Sequence, residues 1–386
     1  MNRVAVVGIG HSKFGKRTDV NVGELAFESI KQAVDDAGVD KKDIGNVVVG
    51  SAGGWYEESL PAVVVDEYAG LSGAGTMRVE AACASGSAAL KTAYNSIVSG
   101  EVDVAMAVGV EKMTEVDTQT SIELIGRAGS YTWEFENFGM TFPAYYALYA
   151  VAHMNKFGTT EEDMSRVSVK AHHYGAMNPL AQFQKEITLE KALGSQVVSW
   201  PLKLYDACPL SDGSASVVLA TEDVAKKLTD TPVWIKGVGC SSDTANLSRR
   251  SNFVGLDAAV EAARRAYAMA KVTPQDIDVA TAHDCFTIAE LMAYEDLGFC
   301  KKGEAAKMIR EGQTEIGGKI PVNLDGGLKA KGHPIGATGV SMAVEITKQM
   351  RGEAGSHQAP IRKGLGLMHN IGGTGHYAYV TIMSRD

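Results

Sequence analysis

The feature that most constrains the fold of this 386-residue chain is an internal repeat. Residues 4–10 and 233–239 are apolar runs that end in Gly-x-Gly, and each precedes a helical pattern of alanine and aliphatic residues. Each pattern leads through a similar link into a second apolar run, within 39–49 in one copy and 272–280 in the other. Continuously apolar strands that alternate with helices predict a parallel sheet with helices on both faces.

The repeat extends to two residues with reactive side chains. Cys83 stands three positions before Gly86 at the start of one predicted helix, and His333 stands three positions before Gly336 at the start of the matching helix. Two like halves that each place a reactive residue at a helix start predict one site shared between them. We therefore expect three parts, namely an N-terminal half of residues 1–113 plus 211–230, an inserted segment of 114–210 and a C-terminal half of 231–386.

The inserted segment has no counterpart in the other half and is rich in aromatic residues. One helix is clear within it and starts near Thr160, where Thr159 with Glu162 or Thr160 with Asp163 fits a capping box. An insertion of this size predicts a lid or a substrate-binding cover. A dimerisation or packing subdomain is the alternative interpretation.

Composition and charge exclude several classes of protein. Glycine supplies 42 of the 386 residues, about 11 % against ~7 % on average, without the period of collagen, so it must serve turns and close backbone contacts. Five cysteines with no C-x-x-C pair fit neither a disulfide framework nor a zinc site and favour a reducing compartment. A net charge of −9 without a long basic stripe excludes nucleic acid as a partner.

The chain carries no sign of export or membrane insertion. Its N-terminus reads as a strand and a turn, without the apolar stretch and cleavage site of a signal peptide. No run approaches the ~18 consecutive apolar residues of a membrane-spanning helix. We expect a soluble cytoplasmic protein with no membrane association.

Cys83 is the first candidate for chemistry. Small residues surround it and a helix begins beside it, so we expect the helix dipole and free N–H groups to lower the thiol pKa below ~8.5 and to bind a developing oxyanion. A small hydrophobe in a tight turn is the alternative. His333, in Gly-His-Pro, could serve as the base for this thiol or as an oxyanion donor, although a lone histidine in such a turn is more often structural.

Two further motifs follow predicted strands. The tetrapeptide His-Asp-Cys-Phe at 283–286 places His283 and Cys285 two residues apart as a compact acid/base pair, and no metal site is expected because further ligands are missing. The Gly-rich turn at 369–375 could direct backbone N–H groups at a carbonyl oxygen. Gly-x-Gly at 8–10 lacks the third glycine of a dinucleotide fingerprint, so we do not expect a dinucleotide-binding site there. The cysteines assigned to packing are Cys208, Cys240 and Cys300.

Together, in this order along the chain, these features resemble the thiolase superfamily. The His-Asp-Cys-Phe form is similar to the sterol-carrier-protein-type and archaeal acetyl-CoA C-acetyltransferases (acetoacetyl-CoA thiolases). The resemblance implies an α/β thiolase fold, with two βαβαβ-type halves in a layered αβαβα sandwich and an inserted loop domain. Because the chain ends just after its last predicted strand, no sterol-carrier domain is expected.

The resemblance also implies a role for each candidate residue. His333 would deprotonate Cys83, which would form an acyl-cysteine, and Cys285 would take a methyl proton from a second acetyl-CoA. His283 and His333 would bind the enolate oxygen. The backbone N–H groups of Cys83 and Gly372 would bind the oxygen of the acyl-enzyme. Removing one such donor typically costs ~10²–10³ in rate.

The implied substrates are two acetyl-CoA, or acetoacetyl-CoA and CoA in reverse, with no cofactor beyond these thioesters and no metal. Candidate CoA-phosphate contacts are Arg249, Arg250, Lys329 and Lys331. The resemblance implies a homodimer or homotetramer in a mevalonate-type pathway, with hydroxymethylglutaryl-CoA synthase and a small OB-fold scaffold as partners. The alternatives are a longer-chain 3-ketoacyl-CoA thiolase, a decarboxylating ketoacyl synthase with a Cys83–His283–His333 triad, and a non-catalytic scaffold subunit.

Overall fold

The computed structural model describes residues 3–385, which form eleven strands and twelve α-helices, besides short turns of other helix types. The first elements along the chain are β1 (Val4–His11), α1 (Val22–Ala37), β2 (Asn46–Gly50), α2 (Pro61–Ala69), β3 (Gly75–Val79), α3 (Ser85–Val98) and β4 (Val104–Lys112). The next elements are α4 (Thr118–Gly126), α5 (Phe142–Phe157), α6 (Glu161–Met177), α7 (Leu189–Leu193), β5 (Val197–Ser199) and β6 (Leu202–Lys203). The remainder comprises β7 (Asp212–Thr221), α8 (Glu222–Leu228), β8 (Val233–Ser242), α9 (Asp257–Ala270), β9 (Val279–Ala282), α10 (Thr287–Asp296), α11 (Ala305–Arg310), α12 (Ile335–Arg351), β10 (Leu365–Gly372) and β11 (Tyr377–Ser384).

The elements stack in five layers, which confirms the predicted sandwich. Helices α3 and α12 pack against each other in the middle layer, and α12 contacts strands of both halves. Helix α1 covers the outer face of one half-sheet and α9 covers the outer face of the other. Almost every residue of α12 is buried, because this helix has sheet on both sides. The residues that begin α3 and α12 therefore meet in the interior of the molecule.

The sheet is mixed, so the predicted parallel sheet is wrong in part. The strand order is β3-β2-β4-β7-β1-β8-β11-β10-β9. Only β2 with β3, β2 with β4, and β9 with β10 pair in parallel, while the strands between them pair antiparallel. Apolar runs indicate burial on both faces, and β7 and β11 are equally buried although they run antiparallel to their neighbours.

The repeat read from the sequence is present in the structure, and glycine explains its Gly-x-Gly signature. A Cβ atom on Gly10 would lie 1.9 Å from the carbonyl oxygen of Ser29 in α1. A Cβ atom on Gly239 would lie 1.9 Å from the carbonyl oxygen of Ala262 in α9. In both halves the outer helix therefore lies against the strand backbone where a side chain would otherwise stand.

The helix start predicted near Thr160 is confirmed. Helix α6 begins with the capping box of Thr160 and Asp163, one of the two predicted pairs. No helix within residues 3–385 combines the length and the apolar character that crossing a membrane requires.

Because the Gly239 contact leaves no space for a side chain, we expect Gly239→Ala to lower the free energy of unfolding by more than about 3 kcal/mol. Gly100→Ala is the control, since Gly100 has a φ of 78° but open space around its Cα. It should cost only about 1–2 kcal/mol of backbone strain. Urea unfolding measures both variants, and equal losses would contradict the proposed contact.

Candidate active site

Glycine brings the two predicted reactive residues together. A Cβ atom on Gly86 would lie 2.7 Å from the carbonyl oxygen of Gly336, and one on Gly339 would lie 2.2 Å from the backbone nitrogen of Ser87. The first turns of α3 and α12 are thus in backbone-to-backbone contact. Each of the two reactive residues lies three positions before one of these glycines, so the contact places them at the same point.

Cys83 lies in a short 3₁₀ turn, Ala82–Ala84, that leads into α3. Ala82 has a φ of 49°, in the left-handed region that favours glycine, so the backbone of this turn is strained next to the thiol. Burial raises the pKa of Cys83 to about 12, and the backbone N–H groups of Gly373 and Cys83 oppose the rise. The expected lowering of this pKa is therefore wrong, because desolvation outweighs the helix start.

Three predicted site residues converge. The sulfur of Cys83 and one ring nitrogen each of His283 and His333 all lie within 4.8 Å of one another. The two imidazole rings meet edge to face, with centroids 5.0 Å apart. Such a trio could also bind a soft metal ion, and the expectation of a metal-free site stays a prediction.

The hydrogen bonds of His333 define its tautomer. The hydroxyl of Thr338 lies 3.0 Å from the carbonyl oxygen of Pro334, which can only accept, so the single hydroxyl proton points there. Nδ1 of His333 lies 2.7 Å from the same hydroxyl oxygen and must donate to it. Nε2 consequently carries a lone pair, and this buried atom has no hydrogen-bond partner within the described chain. His333 is thus arranged as a base.

His283 has the opposite tautomer, which Asn370 defines. The side-chain nitrogen of Asn370 donates to the carbonyl oxygen of Cys83 at 3.0 Å, and the hydroxyl of Ser87 donates to its oxygen at 2.9 Å. Since this orients the amide, its second N–H group donates to Nδ1 of His283 at 3.0 Å. Nε2 of His283 therefore bears the proton, and His283 is arranged as a hydrogen-bond donor.

Both imidazoles are neutral near neutral pH. Burial, with the nearby charge of Lys331, lowers the pKa of His333 to about 3. Burial, with the neighbouring His333 and His369 rings, lowers the pKa of His283 well below its ordinary value. A neutral His333 can accept a proton, whereas an imidazolium could not.

Cys285 is buried beside this trio. Burial raises its pKa well above the ordinary value, as do the neighbouring Cys208 and Cys83 thiols, and a hydrogen bond from Tyr146 opposes the rise. Tyr146 comes from α5, is fully buried, and stacks on Phe286 with a centroid distance of 4.6 Å. The segment between β4 and β7 thus supplies one wall of the site.

The backbone donors differ in position from the predicted pair. The N–H group that reaches the Cys83 thiol from the last Gly-rich turn belongs to Gly373, whose φ is 61°. It lies one residue beyond Gly372, which ends β10. The role of Gly372 stays a prediction, and Gly373 is the donor that the structure adds.

A cleft of about 860 Å³ leads to the same region. Cys208 and Lys329 lie at its floor, and the exposed side chains of Lys13, Lys185 and Lys191 lie at its rim. Cys83 itself lines a smaller, mostly apolar cleft of about 270 Å³ on another side. The walls of this second cleft include Leu124, Ile125, Phe142 and Ile335.

Two of the four predicted phosphate contacts need correction. The guanidinium of Arg250 is buried and donates to the carbonyl oxygens of Thr244 and Thr374. The ammonium of Lys331 is buried in an ion pair with Asp325. Neither charge is free for a ligand. Lys329 lies in the cleft but is 2 % exposed, and Arg249 is exposed but does not line the cleft.

Several residues at the candidate site were not among the predicted site residues, namely Ser87, Tyr146, Thr338, Asn370 and Gly373. Asn370 and Gly373 stand in the Gly-rich turn at 369–375, for which backbone donors are predicted, so the strand-turn pattern is a usable signal for this part of the site. Thr338 stands five residues after His333, in the first turn of α12. Tyr146 was one of many aromatic residues in the insertion, and no local pattern distinguishes it.

Comparisons with known proteins agree with the geometry. The domain "Thiolase, N-terminal domain" matches residues 4–223, and "Thiolase C-terminal domain-like" matches residues 239–385. An acetyl-CoA acetyltransferase of Methanothermobacter thermautotrophicus is 44 % identical over 387 residues, which covers 100 % of both chains. Sterol carrier protein 2 of Homo sapiens is 33 % identical over 96 % of this chain and 70 % of its own length.

Solved structures show the same fold. The Ltp2–ChsH2(DUF35) aldolase has a TM-score of 0.87 at 28 % identity, over 100 % of this chain and 98 % of that chain. Human mitochondrial 3-ketoacyl-CoA thiolase in complex with CoA has a TM-score of 0.76 at 18 % identity, over 100 % and 98 % of the two chains. The resemblance to thiolases drawn from the sequence motifs is confirmed.

A third buried histidine near the site predicts acid sensitivity. Neither ring nitrogen of His369 has a hydrogen-bond partner among residues 3–385, and burial lowers its pKa to about 4. A pKa below the unfolded value of ~6.5 means that stability present above pH 6.5 is lost as the pH falls towards 4, by up to ~1.4 kcal/mol per pH step.

His369→Phe removes this titration. We expect the variant to gain about 2 kcal/mol on the wild type when urea unfolding at pH 5 is compared with pH 7.5. His173→Phe, at a partly exposed position, is the control for the replacement of a histidine by phenylalanine. If the free energies of unfolding of His369→Phe and the wild type change equally with pH, His369 is not a buried histidine with a lowered pKa.

Proposed function

This chain belongs to the thiolase family, and we propose that it condenses two acetyl-CoA to acetoacetyl-CoA and CoA, and catalyses the reverse cleavage. The observation that carries the proposal is the convergence of a thiol, a neutral base and a neutral donor, with a second thiol beside them. The full-length similarity to archaeal proteins named acetyl-CoA acetyltransferase supports acetyl-CoA as the substrate.

The first half-reaction forms an acetyl-cysteine. Nε2 of His333 takes the proton of the Cys83 thiol as the sulfur attacks the thioester carbonyl. The resulting oxyanion lies among backbone N–H groups, for which we assign Cys83 with Gly373 or the predicted Gly372. As the tetrahedral intermediate collapses, the leaving CoA thiolate takes the proton of Cys285, which gives CoA and a Cys285 thiolate.

The second half-reaction forms the carbon–carbon bond. The Cys285 thiolate takes a methyl proton from a second acetyl-CoA, and the enolate attacks the acetyl group on Cys83. The carbon–sulfur bond to Cys83 then breaks as acetoacetyl-CoA forms, and the departing Cys83 thiolate takes its proton back from Nε2 of His333. Proton transfer from Cys83 has meanwhile given His333 an Nε2–H group, so both histidines donate to the enolate oxygen. His333 can serve as base and as oxyanion donor in turn because its Nδ1–H group stays bound to Thr338.

The cleft of about 860 Å³ is our candidate for the CoA site, with the phosphates near the rim lysines and the thioester at the floor. The insertion of residues 114–210 contributes Lys185 and Lys191 to the rim and Tyr146 to the interior, which supports a role as a substrate cover. We retain the proposed boundaries of 1–113 plus 211–230 and 231–386 for the two halves.

The similarity supports a proposal for the wider setting. We place the enzyme in the cytoplasm as a homodimer or homotetramer of the archaeal type, with no cofactor besides its CoA substrates. Because condensation is the uphill direction, synthesis needs a consuming partner. Hydroxymethylglutaryl-CoA synthase of a mevalonate pathway and a small OB-fold scaffold are the candidates, and the two components named in the Ltp2–ChsH2(DUF35) aldolase support the idea of a partner.

A longer-chain 3-ketoacyl-CoA thiolase is the second candidate, and one observation favours it. The smaller cleft on which Cys83 lies has mostly apolar walls, which suit a hydrocarbon chain. Thiolysis rates across a series of 3-ketoacyl-CoA chain lengths decide between the two, because an acetoacetyl-CoA thiolase should lose rate with each added carbon pair.

Cys285→Ala separates the two half-reactions. With acetyl-CoA, we expect mass spectrometry to find an acetyl adduct on the Cys83 peptide in both wild type and variant, and condensation to be lost in the variant alone. The reason is that Cys83 remains while the acceptor of the methyl proton is gone. In the variant the departing CoA thiolate takes a proton from water in place of Cys285, so the adduct forms more slowly but still forms. Cys240→Ala is the control and should retain condensation.

Two results would contradict this assignment. An adduct on Cys240 in place of Cys83 would remove the mechanism. Condensation that requires malonyl-CoA would instead indicate a decarboxylating ketoacyl synthase.

The rim lysines give a further prediction. The double variant Lys185→Ala/Lys191→Ala should raise the KM for acetyl-CoA by about tenfold or more, since hydrogen bonds to charged groups contribute about 1.5–3 kcal/mol. It should leave the KM for S-acetyl-pantetheine, which lacks the phosphates, unchanged. Lys227→Ala, on the outer surface, is the control. Equal changes for both substrates would place the phosphates elsewhere.

A further inference from the structure

Lys329 is a buried lysine at the floor of the proposed CoA cleft. Its side chain is 2 % exposed, whereas the rim lysines Lys13, Lys185 and Lys191 are exposed. The phosphates of CoA are joined to its sulfur through the long pantetheine arm, so phosphates at the rim leave the floor to the thioester end. A buried ammonium at the floor therefore needs another explanation than phosphate binding.

Three hydrogen bonds define the position of Lys329 and of the residue before it. The carboxylate of Asp284 accepts the backbone N–H groups of Leu328 at 2.7 Å and Lys329 at 3.3 Å. Nζ of Lys329 donates to the carbonyl oxygen of Ala207 at 2.7 Å. The ammonium is thus held between the His-Asp-Cys-Phe motif and the segment that precedes Cys208.

That segment lies directly against Cys285. Ala207 pairs with Phe286 in an antiparallel bridge, and the N–H group of Cys208 donates to the carbonyl oxygen of Cys285 at 2.9 Å. Because Nζ is bound at Ala207, it lies at the edge of this bridge, whose two residues are the chain neighbours of Cys208 and Cys285. Burial lowers the pKa of Lys329 below its ordinary value, and the nearby Asp206, Cys208, Asp284 and Cys285 oppose this lowering.

We propose that Lys329 is a positioning residue for Cys285. The ammonium group of Lys329 stabilises the Cys285 thiolate that removes the methyl proton of acetyl-CoA. The inference rests on the proposed function. The proton balance requires this thiolate, because Cys285 gives its proton to departing CoA and then receives one from the methyl group. Burial opposes a thiolate at Cys285, and a neighbouring positive charge offsets that cost.

The test compares Lys329→Met and Lys329→Gln with the wild type, so that a polar variant is available if the apolar one fails to fold. Each protein is incubated with acetyl-CoA in D₂O. Mass spectrometry measures deuterium entry into the acetyl methyl group, and the rate is divided by the acetylated fraction of Cys83 in the same sample. Lys185→Met is the comparator for a phosphate contact, and Lys301→Met is the surface control.

We expect the normalised exchange to fall by about 10- to 1,000-fold in both Lys329 variants, since a nearby opposite charge changes a thiolate population by that factor. Cys83 acetylation and the KM for acetyl-CoA should persist at wild-type values, while Lys185→Met raises the KM and keeps the normalised exchange.

Three outcomes overturn the inference. Unchanged normalised exchange would show that Lys329 does not act on Cys285. A raised KM with unchanged exchange, as expected for Lys185→Met, would make Lys329 a phosphate contact. Loss of Cys83 acetylation in both variants would show that the charge of Lys329 is needed for folding or for the reaction of Cys83, and not for Cys285. A wild type that forms no acetyl-cysteine would instead refute the proposed function, which is a distinguishable result.

Discussion

The close contact between the first turns of α3 and α12 is the constraint on which the rest of the site depends. Gly86 and Gly339 allow the two helix starts to touch through their backbones, and any side chain at Gly339 would overlap the backbone nitrogen of Ser87. Each helix start carries one reactive residue, Cys83 or His333. The two equivalent positions of the duplicated fold therefore bring these two residues together in one site. Neither half alone would hold a thiol and a base at this distance.

Burial then determines the charge states. It raises the pKa of Cys83 to about 12 and lowers that of His333 to about 3, so the resting site holds a neutral thiol and a neutral imidazole. Transfer of the thiol proton becomes favourable only when the negative charge moves onto substrate and is met by donors. The interior thus suppresses the reactivity of the free enzyme and makes the chemistry depend on a bound thioester.

Hydrogen bonding distinguishes two histidines that burial alone would leave alike. Thr338 and Asn370 are small polar side chains that each bind a ring nitrogen, and they assign opposite tautomers to His333 and His283. One ring therefore offers a lone pair and the other an N–H group before any substrate arrives. This division suits one proton transfer and one oxyanion, which a thiolase requires.

Much of this could be predicted from the sequence, for reasons visible in particular residues. The repeat is legible because Gly10 and Gly239 serve the same helix contact, and because Cys83 and His333 hold equivalent positions before equivalent glycines. Strand direction was mispredicted because the buried β7 and β11 have the composition of parallel strands. Tyr146 lies in the site through a contact with Phe286, which is distant in sequence, and no local pattern reveals such a partner. The sequence does point to the turn of Asn370 and to Lys329, but not to their contacts with His283 and Ala207.

The pKa of Cys83 was mispredicted for a related reason. A helix start can be read from the sequence, but the desolvation that outweighs it depends on how tertiary packing encloses the thiol.

The most direct test of the account is the protonation pattern of the two active-site rings. Nitrogen-15 NMR of histidine-labelled protein, with signals assigned through His333→Gln and His283→Gln, reports the state of each ring nitrogen at neutral pH. The account predicts a protonated Nδ1 and a bare Nε2 in His333, and the reverse pattern in His283. The same tautomer in both rings, or an imidazolium in either one, would contradict it.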